Sequence, residues 1–174
     1  MLFFTRINVF SLIREHFATL YDNRLDDKKI NLSEVLLLLL FALAIPSFLI
    51  FILHQPLELD RTDCFLTVFS IAIGFLSSTL FVLADRKTSV RKANLVAKLK
   101  ECFYNTAFSL IVSLTVIFCY IVMMIAMRAL NSFGKMEYAA VVLNSGSFII
   151  YAMIVLLFHS LLMVIRRVFL IFDD

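Results

Sequence analysis

Charged residues are scarce in this sequence, and over long stretches they are missing altogether. Asp, Glu, Lys and Arg make up 17% of the 174 residues against 62% hydrophobic, and the mean hydropathy is +0.97. A soluble domain is about half apolar. Here the excess is gathered into uncharged blocks that offer water no surface, which excludes a soluble globular domain. The cysteines Cys64, Cys102 and Cys119 stand in no metal-ligand spacing and form no disulfide framework. There is no G-x-x-x-x-G-K-S/T, no H-E-x-x-H and no paired-cysteine motif, so neither a phosphate cradle nor a zinc-hydrolase pair is encoded. No Asp or Glu falls inside a predicted span, and only one span is interrupted by proline, which argues against a secondary transporter. The sequence therefore assigns no catalytic residue, no metal and no cofactor, and no enzymatic activity is expected. The 19 phenylalanines beside a complete lack of tryptophan carry no functional conclusion.

The stretch that organises the rest is Thr67 to Lys92, TVFSIAIGFLSSTLFVLADRKTSVRK. It begins as an uncharged apolar run, which predicts a membrane-spanning helix, and ends in a dense basic loop. Three more spans are predicted around it. The set runs from about Leu36 to Leu53, Phe65 to Leu83, Phe103 to Met127, and Ala139 to Ile165. Pro46 lies inside the first and predicts a kink there, because it removes a backbone donor. Ahead of the spans, Phe3, Ile7, Phe10, Ile13, Phe17 and Leu20 recur at helical spacing, with Thr5, Asn8, Ser11, Glu15 and Asp22 on the other side. This predicts an amphipathic helix lying in the membrane interface or packed on the bundle. No uninterrupted apolar core or small-residue cleavage site marks it as a signal peptide. The polar run YDNRLDDKKINLSE reads as a linker, with Asn31 or Ser33 able to cap the next helix. The expected fold is thus an all-α integral membrane four-helix bundle. Residues 1–34 form the amino-terminal amphipathic helix and linker, and residues 35–174 the bundle with its basic loop at 84–102.

Thirteen of the sixteen Lys and Arg residues fall on one side of these spans. They are Arg6, Arg14, Arg24, Lys28 and Lys29 in the amino-terminal segment, Arg86, Lys87, Arg91, Lys92, Lys98 and Lys100 in the middle, and Arg166 and Arg167 in the tail. Only Arg61, Arg128 and Lys135 fall on the other. Basic loops resist translocation, so both termini and the middle loop are expected in the cytoplasm. The outer connections, His54 to Cys64 and Arg128 to Tyr138, are too short for a separate domain.

Within the second span Ser70, Gly74 and Ser78 recur every four residues, and Ser109 and Ser113 repeat the theme in the third alongside Thr106. Small residues on one face let helix backbones approach, so these are candidates for a packing or oligomer seam, either between copies or within one chain. His159 is the one ionisable side chain expected well inside a span. It is either an intramembrane switch or a neutral imidazole bonded to a neighbour such as Tyr120, Tyr151 or Asn144. The cations Arg86, Lys87, Arg91, Lys92, Lys98, Lys100, Arg166 and Arg167 form the candidate docking surface for anionic lipid headgroups or a cytosolic protein. Direct nucleic-acid binding is not expected, because the loop has no aromatic platform on which bases could stack.

Taken together, the amphipathic start, the four spans with minimal outer loops, the second-span SIAIGFLSSTLFVLAD and the closing LLMVIRRVFLIFDD resemble a known class. This is the small four-span membrane proteins of bacterial anti-phage defence operons, nearest the membrane subunit of Kiwa-type systems. The resemblance implies a homo-oligomeric sensor in the bacterial inner membrane, expected as a tetramer, that recruits a cytosolic DNA-binding effector and responds to phage at the envelope. It carries over no catalytic residue. A second function class stays open beside it, a pore-forming effector that depolarises the membrane. A pore needs a continuous polar stripe, whereas the fourth span is wholly apolar from Ile154 to Phe158.

Overall fold

A computed structural model describes residues 9–18, 32–57, 62–89 and 93–172. Among them every regular element is helical: α1 Val9–Ala18, α2 Leu32–Ser47 with a π-helical turn Phe48–Ile52 at its end, α3 Thr62–Ser89, α4 Ala93–Ser132 and α5 Met136–Phe172. The all-α fold is as expected. Four stretches are long and apolar enough to cross a membrane: Val35–Ile52, Thr62–Arg86, Leu95–Ser132 and Met136–Arg166. The chain is a multi-pass membrane protein. Its helices outrun the predicted spans, because hydropathy registers only the part of a helix that lipid requires. The interspan segment 84–102 is largely helix: α3 runs on to Ser89 and α4 takes up at Ala93.

The helices form an open layer around one central pair. α4 and α5 pack along their length, α3 packs on α4, α2 on α5, and α1 crosses onto α4. Among the described residues α2 and α3 share no substantial interface. Phe69, Phe108, Val112, Val116, Tyr120, Met123, Ile150 and Leu157 fill the main core. Leu83, Leu99, Cys102 and Val164 close the end nearer the basic residues, called here the basic end. The remaining large apolar side chains point outward, as in Leu36, Leu40 and Phe51 of α2 and Phe81 of α3, which is 77% exposed. In water that surface would be untenable; in hydrocarbon it is the surface a span requires.

Local sequence explains how the elements end. α2 continues through the buried Pro46, and its last turn widens instead of breaking, with Leu53 N–H bonding Phe48 O at 3.0 Å and Gln55 N–H bonding Leu49 O at 2.9 Å. A proline lacks the i−4 bond and crowds the preceding turn, and a wide turn beside it keeps the later carbonyls satisfied. The turn between α4 and α5 is set by Gly134, whose φ of 68° only glycine adopts without strain. Gly134 N–H bonds Asn131 O at 3.1 Å and Lys135 N–H bonds Leu130 O at 3.0 Å, the paired closure of a Schellman cap.

Candidate functional site

Among the described residues, the buried polar side chains other than Ser147 gather on α4 and on the parts of α1 and α5 beside it. His16 of α1 is 2% exposed. Its ring lies flat on Phe108, with centroids 3.8 Å apart, and its Nδ1 donates to Asn105 Oδ1 at 2.8 Å. An amide oxygen only accepts, so the ring proton sits on Nδ1. Burial, opposed by the Asn105 bond and reinforced by the proximity of His159 on α5, lowers the His16 pKa from 6.5 to about 4. The imidazole is therefore neutral at cellular pH. Helical spacing puts His16 on the face of Leu12, which is buried, and of Ile13, which packs against the core. The sequence stripe passed over this residue because it was traced through the apolar Phe3, Ile7, Phe10, Ile13, Phe17 and Leu20. The helix is packed on the bundle, the second of the two placements its periodicity allowed.

Behind this contact α4 presents Asn105, Thr106, Ser109 and Ser113, all fully buried. Thr106, Ser109 and Ser113 bond back to Cys102 O, Asn105 O and Ser109 O at 2.8–2.9 Å, which satisfies each of these three buried hydroxyls. Ser109 Oγ also meets Ser160 Oγ of α5 at 2.7 Å, and Ser160 Oγ meets Leu157 O at 3.0 Å. The two protons of this pair serve three contacts, so one of the three goes without a proton in any one bonding pattern. A Cβ on Gly146 would come within 2.6 Å of Met123 Sδ. Gly146 is the glycine that lets α5 seat on α4, and the sequence reading did not single it out.

The five seam candidates divide. Ser109 and Ser113 line the α4–α5 contact. Ser70, Gly74 and Ser78 lie exposed on α3, and a Cβ on Gly74 would meet nothing within 4 Å. Ser78 Oγ bonds Gly74 O at 2.9 Å along its own helix. His159 is half-buried on α5. The hydroxyls named as its neighbours are engaged at the opposite end: Tyr120 with Thr62 Oγ1 at 2.8 Å, and Tyr151 donating to Gln55 O at 3.4 Å. Asn144 is exposed and lies more than three turns from His159 along α5.

These last contacts build a clamp at the connector end. Residues 53–57 lead out of α2 with His54 in the left-handed region at φ 49°. The connector is pinned to α5 by Leu57 N–H donating to the buried Ser147 Oγ at 2.9 Å. Phe65 stacks on Tyr120 at 4.4 Å, fixing the start of α3 against α4. At the basic end, Arg86, Lys100 and Arg166 are exposed and Lys98 is half-buried; the Lys100 ammonium stands 5.7 Å over the Tyr104 ring. Arg91 and Lys92, the side chains of Lys87 and Arg167, Asn31 and the Ser33 side chain lie outside the described residues. Among the described residues no group of three or more His, Cys, Asp or Glu could hold a metal ion.

Comparison with protein-family models, with curated proteins and with solved structures finds no match to this chain.

Proposed function

We propose that this protein is a non-enzymatic inner-membrane sensor or anchor subunit that assembles with itself and recruits a cytosolic effector. The observation that carries this reading is how the polar side chains are used. His16 with Asn105, Ser109 with Ser160, Thr62 with Tyr120, and Leu57 with Ser147 tie one element to another. Side chains engaged in this way hold a fixed shape and are not arranged as a hydrated path. Near the α1 dock, the exposed cations Arg86, Lys100 and Arg166 provide a surface for an acidic partner or for anionic lipid. The setting in anti-phage defence, the DNA-binding effector and the tetramer rest on the resemblance of SIAIGFLSSTLFVLAD and LLMVIRRVFLIFDD. The orientation rests on the uneven distribution of Lys and Arg.

The test is membrane potential in cells that express this chain without any partner. An assembling sensor leaves the potential intact. It loses co-purifying protein when Arg86→Glu and Lys100→Glu are combined or when salt is raised, since charge steering is screened. A collapse of the potential that those substitutions leave unchanged overturns the sensor and establishes the pore-forming effector.

A further inference from the structure

The four spans differ greatly in length. The α2 span of 18 residues rises about 27 Å, whereas the α4 span of 38 residues rises about 57 Å, against a hydrocarbon thickness of about 30 Å. The basic ends of α3, α4 and α5 are level, because Leu83 of α3, Leu99 and Cys102 of α4 and Val164 of α5 share one cluster. The excess therefore lies at the connector end. There, Thr62 at the start of α3 meets Tyr120 and Met124, and Leu57 meets Ser147. Past Tyr120, α4 continues to Ser132, a further rise of about 18 Å. Before Ser147, α5 begins at Met136, about 16 Å beyond. The α4–α5 hairpin thus overhangs the ends of α2 and α3.

The overhang stays apolar on its outside. Ile125 is 64% exposed, Val141 65%, Tyr138 64%, Met136 75% and Phe133 76%, continuing the lipid-facing surface of the spans below. At its tip, Phe133, Met136 and Tyr138 alternate with the exposed Arg128, Lys135 and Glu137, the mixture of aromatic and charged groups found where a helix leaves the bilayer. A polar boundary stands far lower on the other side, where Asp63 is exposed beside Thr62 and His54 and Gln55 are exposed in the connector. Tilt cannot reconcile the two heights, because α3 is held to α4 at both ends and any tilt of one is a tilt of both.

We propose that the bilayer meets this protein at two heights: the connector-side leaflet stands near its ordinary level over the ends of α2 and α3 and is drawn up along the α4–α5 hairpin, with Phe133 and Met136 among its lipids. The proposal rests on the membrane-spanning reading alone and not on the sensor function. With no native tryptophan, a single introduced one reports its surroundings without background. Phe133→Trp and Leu53→Trp are each reconstituted in vesicles whose lipids are brominated at shallow or deep acyl positions. Phe81→Trp, in mid-span, is the deep reference. Both test residues are expected to emit in the blue and to lose most emission to shallow bromines, although they stand at different levels along the bundle. Red emission from Phe133→Trp, quenched by aqueous acrylamide, overturns the proposal by placing the tip in water. Blue emission insensitive to both quenchers overturns it by placing a second protein copy over the tip. Deep quenching of Leu53→Trp overturns it by showing a flat bilayer. Met136→Trp repeats the reading should Phe133→Trp lose its helical circular dichroism.

Discussion

Two stretches of small residues at four-residue spacing have opposite fates in this molecule. Ser109 and Ser113 of α4 are fully buried against a partner helix, while Ser70, Gly74 and Ser78 of α3 look outward into open space. The spacing is the same in both and does not decide the outcome. What decides it is the rest of the helix. α4 also carries Asn105, Thr106, Val112, Val116 and Tyr120 on its inner faces, giving it something to offer α5, α3 and α1 at once. α3 buries Phe69, Leu76 and Leu83, a single stripe that satisfies one neighbour and leaves the small residues on the far side. Small residues permit close approach without choosing who approaches.

The largest effect expected from disturbing the buried region comes from pH. His16 is neutral where it docks and has its pKa lowered from 6.5 to about 4. Its contribution to holding α1 is therefore complete above pH 6.5, falls as pH drops from 6.5 to about 4, and is flat below. Over that window the loss is about 3 kcal/mol. Amide exchange of residues 9–18 in lipid nanodiscs should speed up across it, and His16→Phe should abolish the pH dependence. Exchange that is insensitive to pH in the native protein would show that α1 is held by Leu12 and its apolar neighbours alone.

Gly146→Leu comes next. The added side chain starts inside the space of Met123 Sδ, so overpacking should cost about 1–3 kcal/mol in a detergent unfolding titration. The Ser109–Ser160 pair is worth less. A double-mutant cycle with Ser109→Ala and Ser160→Ala should return a coupling of about 0.6–1.7 kcal/mol, whereas Ser78→Ala with Ser109→Ala should add without coupling. Gly74→Leu is the smallest perturbation of the single chain, within about 0.5 kcal/mol, because its new side chain meets nothing. That makes it a clean probe of assembly: crosslinking should show the oligomer weakened while unfolding stays unchanged. An unaltered crosslinking pattern would mean that this face of α3 sees only lipid.

The spans and the all-α fold were legible in the sequence because hydrocarbon imposes one demand on every residue that touches it. Pairing was less so. Nothing in a uniformly apolar helix such as α2 says which neighbour it packs on, and its partner is α5, the most distant in sequence. His159 was legible as an oddity, but the tyrosines expected beside it are occupied at the far end of the bundle with Thr62 and Gln55. His16 was legible in spacing, four residues after Leu12, and was missed because a histidine is not counted as apolar. Gly146 stood between two serines and carried no signal that distinguished it from Gly74. Only the side chain opposite, Met123, separates them.

That α2 packs on α5 and α3 on α4 also has a consequence for biosynthesis. The first two spans leave the ribosome before either of their partners exists, and they have no substantial interface with each other. They must wait in the membrane as separate helices until the final hairpin arrives between them. A chain released after Lys92 is therefore expected to insert but not to condense, and to fall to membrane proteases; supplying residues 93–174 as a second polypeptide should rescue it. Accumulation of the truncated chain to normal levels by itself would show that the first two spans find other shelter. The last helix to be made is the one that completes the first.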